Sequence, residues 1–119
     1  KESLDLARHK LMDILCNYAG YRKCVPILVF DAYRVKGAGR EQETWHNLHV
    51  IYTREAETAD MFIERTTHEL AKNHRVRVVS SDGAEQIIIL GNGALRVSAR
   101  AFEREVRAVE AEIREFLDQ

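Results

Sequence analysis

Five acidic side chains could do chemistry in this sequence: Asp31, Glu57, Asp60, Asp82 and Glu85. Asp31 ends the apolar run at 25–30, Glu57 and Asp60 follow the run at 48–52, and Asp82 and Glu85 follow the run at 75–80. Glu57 and Asp60 stand three residues apart, a spacing that projects two side chains to one side of a helix. If the three runs are strands of a parallel sheet, all five carboxylates rise at one rim, in the crevice beyond the carboxyl ends of the strands. Carboxylates that close repel strongly unless a cation lies between them. An all-oxygen site suits Mg²⁺ or Mn²⁺, ions that keep several waters and bind substrate phosphate. They lower the pKa of a bound water and neutralise charge on a phosphodiester, so hydrolysis of a nucleic-acid backbone is the chemistry such a rim fits.

Each acid also has a plain structural use. Val78-Val79-Ser80-Ser81-Asp82-Gly83 reads as a strand that stops at small polar residues and turns into a helix. Ser81 and Asp82 are good N-caps there. Glu57, Asp60 and Glu85 equally suit the first turn of a helix, where the dipole favours negative charge. A cap and a ligand can be the same residue, and spacing alone does not choose.

The elements that must position these residues alternate. An amphipathic helix is expected over 3–19 from Leu4, Ala7, Leu11, Leu15 and Tyr18, with Gly20 as its stop. Residues 25–30 form a continuously apolar strand, residues 32–47 a polar loop and residues 48–52 a second strand. A helix follows with Ala59, Phe62, Ile63, Thr66 and Leu70 on one face. After the strand at 75–80 come a short helix at 84–90, a break at Gly91-Asn92-Gly93 and a last strand at 94–97. Ser98 caps a long helix with Phe102, Val106, Val109, Ile113 and Phe116 on its apolar face. The expected fold is α/β, a parallel sheet with helices on both faces.

Composition narrows the function classes. The 119 residues, 45% apolar and 31% charged, are globular rather than disordered or fibrous. A formal net charge of −1 removes any global basic excess, so contact with nucleic acid needs a local patch. Arg34, Lys36 and Arg40 in the loop, with Arg96 and Arg100 around the last strand, are that patch, or equally a solvated surface. Cys16 and Cys24 have no CxxC or zinc spacing and suit a reducing, cytoplasmic setting. The five histidines show no metal spacing and read as surface residues. Ser80 and Ser81 lack a GxSxG setting, and neither a P-loop nor a dinucleotide fingerprint is present. No apolar run approaches the ~20 residues of a membrane span and no signal-peptide pattern opens the chain. Beginning at Lys1 without a methionine, it reads as one domain, 1–119, of something longer.

Several runs resemble the YacP-like NYN domain family: Val29-Phe30-Asp31-Ala32 with Val35-Lys36-Gly37, Glu57-Thr58-Ala59-Asp60, Ser81-Asp82 with Glu85-Gln86, and the stretch 91–100. The resemblance implies a PIN-like three-layer sandwich with a mainly parallel sheet, and a divalent-metal-dependent endoribonuclease that in some relatives acts on mRNA at the ribosome. It matches Asp60 and Asp82 to the family's acidic pocket, with Glu57, Asp31 and Glu85 as further candidates. Gly83 stands where the family commonly has tyrosine. The family normally opens with a central strand ending in Asp-x-Tyr-Asn, and this chain starts after it. Without that strand the chain is expected to be inactive by itself, and to dimerise or to pair 25–30 with 75–80. Relatives also occur as appendages of translation-factor GTPases of the ribosomal-protection type, so a non-catalytic RNA- or ribosome-binding module is the alternative.

Overall fold

The structure is a computed structural model that describes residues 2–31, 42–53, 57–80, 86–90 and 95–119, with backbone alone at 2–5 and 86–90. The elements, in chain order, are α1 (Glu2–Arg22), β1 (Pro26–Phe30), β2 (Gln42–Trp45), β3 (Leu48–Tyr52), α2 (Ala59–Leu70), β4 (Arg77–Ser80), β5 (Gln86–Leu90), β6 (Leu95–Ser98) and α3 (Ala99–Leu117). The described strands form one sheet in the order β2-β3-β1-β5-β4-β6. β1 pairs with β3 in parallel, and β4 with β6 in parallel. β5 is antiparallel to both of its neighbours, and β2 is antiparallel to β3. The sheet is therefore mixed rather than mainly parallel.

Several sequence expectations change. Residues 86–90 form a strand, not the end of a helix. Ile87-Ile88-Ile89 is a β-branched run closed by Gly91, and a central position between two strands rewards that stiffness more than a helix would. The expected pairing of 25–30 with 75–80 is consequently not made, because β5 lies between them. Part of the polar loop is also strand, since β2 makes a hairpin with β3 through a two-residue turn in which Trp45 pairs with Leu48. His46 carries that turn at φ 57°, a conformation uncommon outside glycine, so no Asn-Gly signature marked it.

α1 runs through Gly20 to Arg22. Its stop is Lys23 at φ 59°, beyond which the Cys24 N–H reaches back to the Ala19 carbonyl at 3.1 Å, a Schellman closure. Strand alternation sorts the core. Leu28 and Phe30 of β1, Leu48, Val50 and Tyr52 of β3 and Val79 of β4 pack with Met12, Leu15 and Tyr18 of α1 and Phe102, Val106 and Val109 of α3. Val29, Val76 and Val78 pack on the opposite face with Ala59 and Ile63 of α2. The expected faces of α2 and α3 are met except at Phe116, which is 71% exposed. Among the described residues no helix is long and apolar enough to cross a membrane.

One polar cluster ties α1, α3 and β4 together. Tyr18 donates its hydroxyl to Glu105 Oε2, Arg77 Nη2 donates to Oε1 at 3.0 Å, and Arg22 Nη2 reaches Oε2 at 3.2 Å. Burial opposes the charge on Glu105, but the donors from Tyr18 and Arg77 outweigh it and hold the carboxyl below its ordinary range. Burial, reinforced by Glu105, pushes the Tyr18 phenol up, so it remains a donor. Breaking a part-buried ion pair strands the surviving charge. Glu105→Ala is expected to cost about 2–4 kcal/mol in urea unfolding. Because the folded carboxyl titrates low, its contribution is complete above the ordinary glutamate range and fades as pH falls through and below it. Glu105→Gln should therefore flatten the acid limb of the stability–pH curve.

Candidate active site

β1, β3, β4 and β6 all run the same way, so their carboxyl ends share one edge of the sheet. Thr53 stitches part of that edge. Its N–H binds the Phe30 carbonyl at 3.0 Å and its hydroxyl reaches the same oxygen at 3.5 Å, with the residue only 3% exposed. Asp31 follows immediately after β1 and is half-buried.

Between β3 and α2 the cap is Thr58, whose side chain accepts from the Met61 N–H at 3.1 Å. With the threonine satisfying that N–H, neither acid beside it is needed as the cap. Asp60 lies in the first turn of α2, exposed, where the helix dipole favours its charge. Glu57 precedes the cap and is ion-paired with Arg65, whose guanidinium lies over the Phe62 ring 5.5 Å from its centroid.

Glu57 and Asp60 therefore part company despite their spacing. Asp60 lines a hollow of about 580 Å³ with Glu64, Thr67, His68, Ser80 and Arg96. Glu57 lines a second hollow of about 360 Å³ with Gln42, Thr53, Phe62 and Arg65. The helical side-by-side rule holds only inside a helix, and Glu57 lies before the cap. The first hollow thus joins one expected ligand, Asp60, to one expected phosphate contact, Arg96, across α2 and β6. Arg100 is exposed in the first turn of α3. Asp82, Glu85, Arg34, Lys36 and Arg40 lie outside the described residues. His9, His46, His68 and His74 are exposed as expected, and His49 is half-buried.

Neither the Arg65–Phe62 pair nor the Thr67 hydroxyl, which is buried against the Asp60 hollow without a hydrogen-bond partner, was singled out from the sequence. Phe62 and Arg65 are three apart on a helix, the only signal that could have drawn them together. Among the described residues no group of three or more His, Cys, Asp or Glu could hold a metal ion. Those residues by themselves do not make up a divalent-ion site.

The YacP-like NYN domain family model matches residues 1–119. The chain belongs to that family. Membership generally implies an RNase-like nuclease domain on an NYN/PIN-like α/β fold. The chain is also similar to the uncharacterized protein YacP of Bacillus subtilis (strain 168), 42% identical over 112 residues, which are 93% of this chain and 65% of that protein. The chain thus spans just under two thirds of that relative's length. No solved structure matches significantly.

Capping by Thr58 sets the orientation of the α2 first turn and of Asp60 in it. Thr58→Ala is expected to cost about 1 kcal/mol of stability in chemical denaturation, whereas Arg65→Ala, which removes a largely exposed ion pair, should cost less than about 1 kcal/mol.

Proposed function

We propose that the chain is part of a PIN-like, divalent-metal-dependent endoribonuclease domain whose site lies at the shared carboxyl edge of β1, β3, β4 and β6. The observation that carries this reading is the common direction of those strands. Asp31 follows β1, Asp60 opens the helix after β3, and Asp82 stands two residues beyond the end of β4 in sequence. Family membership supplies the nuclease class.

Asp60 and Asp82 are the proposed ligands for Mg²⁺ or Mn²⁺, with Asp31 as an aid. Glu57, a further candidate, is ion-paired with Arg65. A divalent ion there would neutralise charge on the phosphodiester and activate a water. The chain's own contribution is placement: Thr53 and Thr58 fix the backbone on either side of the β3–α2 connection, and Arg96, sharing the hollow with Asp60, offers a cation to an RNA phosphate. Arg34, Lys36, Arg40 and Arg100 extend that basic set in the proposal, and mRNA on the ribosome is the proposed setting of the substrate.

The test is cleavage of RNA by the full-length protein with Mn²⁺ or Mg²⁺. Asp82→Asn and Asp60→Asn should each lower the rate by more than about 100-fold with circular dichroism unchanged, and EDTA should abolish it. RNA binding that is equally strong with Asp82→Asn or EDTA, with no cleavage by the wild type, would make the protein a binding module instead.

A further inference from the structure

The hollow holding Glu57 is not used by the proposed chemistry, yet it has the components of a base-recognition site. It measures about 360 Å³, at the small end for ligand sites. Arg65 is 63% exposed in its side chain, and its guanidinium lies over Phe62 and against Glu57 Oε2. A guanidinium plane held in this way is a stacking surface for an unpaired RNA base. Its charge is balanced by Glu57, so the hollow does not favour a phosphate. Glu57 is also an acceptor-only group at 26% exposure, and Gln42, exposed at the rim, carries an amide that both donates and accepts. Thr53 lines the same hollow while bonded to the Phe30 carbonyl, which places it one residue from Asp31. A base seated here would have its own backbone beside the proposed cleavage edge.

We infer that this hollow seats one nucleobase of the RNA, stacked on the Arg65 guanidinium and read at its edge by Glu57 and Gln42, with preference for bases that carry an exocyclic amino group. Guanine, adenine and cytosine each present amino hydrogens to a carboxylate, whereas uracil presents carbonyl oxygens on either side of its one N–H, and those repel it. The inference rests on the RNA substrate proposed above and adds where its specificity resides.

The test measures binding, not cleavage, with the full-length protein in EDTA. GMP, AMP and CMP are titrated against UMP, and each is compared with the trinucleotide carrying that base. The amino-bearing nucleotides should bind at least about tenfold more tightly than UMP, and trinucleotides more tightly than mononucleotides. Arg65→Ala should weaken the amino-bearing set at least about fivefold, and Arg65→Lys, which keeps the charge but not the plane, should not restore it. Glu57→Gln should narrow the gap to UMP. Equal binding of all four nucleotides, or full rescue by Arg65→Lys, would overturn the inference. Mononucleotides binding as well as trinucleotides would overturn its RNA part. A protein that cleaves RNA but shows no base preference loses this pocket and keeps its nuclease reading; one that prefers amino-bearing bases but never cleaves does the reverse.

Discussion

Strands that run side by side in one direction must end at one edge, and the rest of this molecule depends on that constraint. Antiparallel β5 sits between β1 and β4, so the two are not hydrogen-bonded, yet two reversals leave them pointing the same way. Residues far apart in sequence therefore arrive together without any need for them to touch. Asp31, the α2 first turn and the Ser98 cap of α3 all sit at the carboxyl ends of strands, and the helices return along the faces to bury them. Open α/β sheets form their sites at such an edge, because backbone there can turn and side chains can converge without spoiling the core.

The two hollows along that edge differ in charge. Asp60 stands without an ion pair among the described residues, in a hollow whose one arginine, Arg96, comes from another element. Glu57 is balanced by a cation five residues beyond Asp60 on the same helix. In the proposed reading an anionic substrate and a cation gain from the first arrangement, and a neutral flat ring from the second. The Tyr18–Glu105–Arg77 cluster belongs to neither. Arg77 opens β4, at the opposite end of the strand from Ser80, and its partners hold α1 and α3 against the sheet. Its perturbed groups are structural, so perturbed titration by itself did not mark the site here.

Much of this was legible in the sequence because local rules agreed with the fold. The apolar runs at 25–30 and 48–52, the faces of α2 and α3, and the Ser98 cap follow from period and capping chemistry that tertiary packing did not overrule. The errors have physical causes. The helix-capping residues ahead of Ile87-Ile88-Ile89 point to a helix, whereas its own β-branched run favours the strand that forms. The β2–β3 turn runs through a histidine at positive φ, which no composition rule marks. Glu57 and Asp60, close in spacing, line different hollows with the Thr58 cap between them. The family likeness was carried by whole runs of residues, and these survive such errors because they do not depend on the state of any one of them.

The central claim is that the working edge is the one reached by the carboxyl ends of β1, β3, β4 and β6. Paramagnetic broadening tests it directly: Mn²⁺ titrated into the isotope-labelled full-length protein, with loss of amide signal read residue by residue. The account predicts early loss at Asp31, Thr58 to Asp60, Ser80 and Ser98, with Arg77, Leu95 and the α1–α3 face spared. Broadening centred on Arg77 and Leu95, or uniform weak broadening over the whole surface, would contradict it.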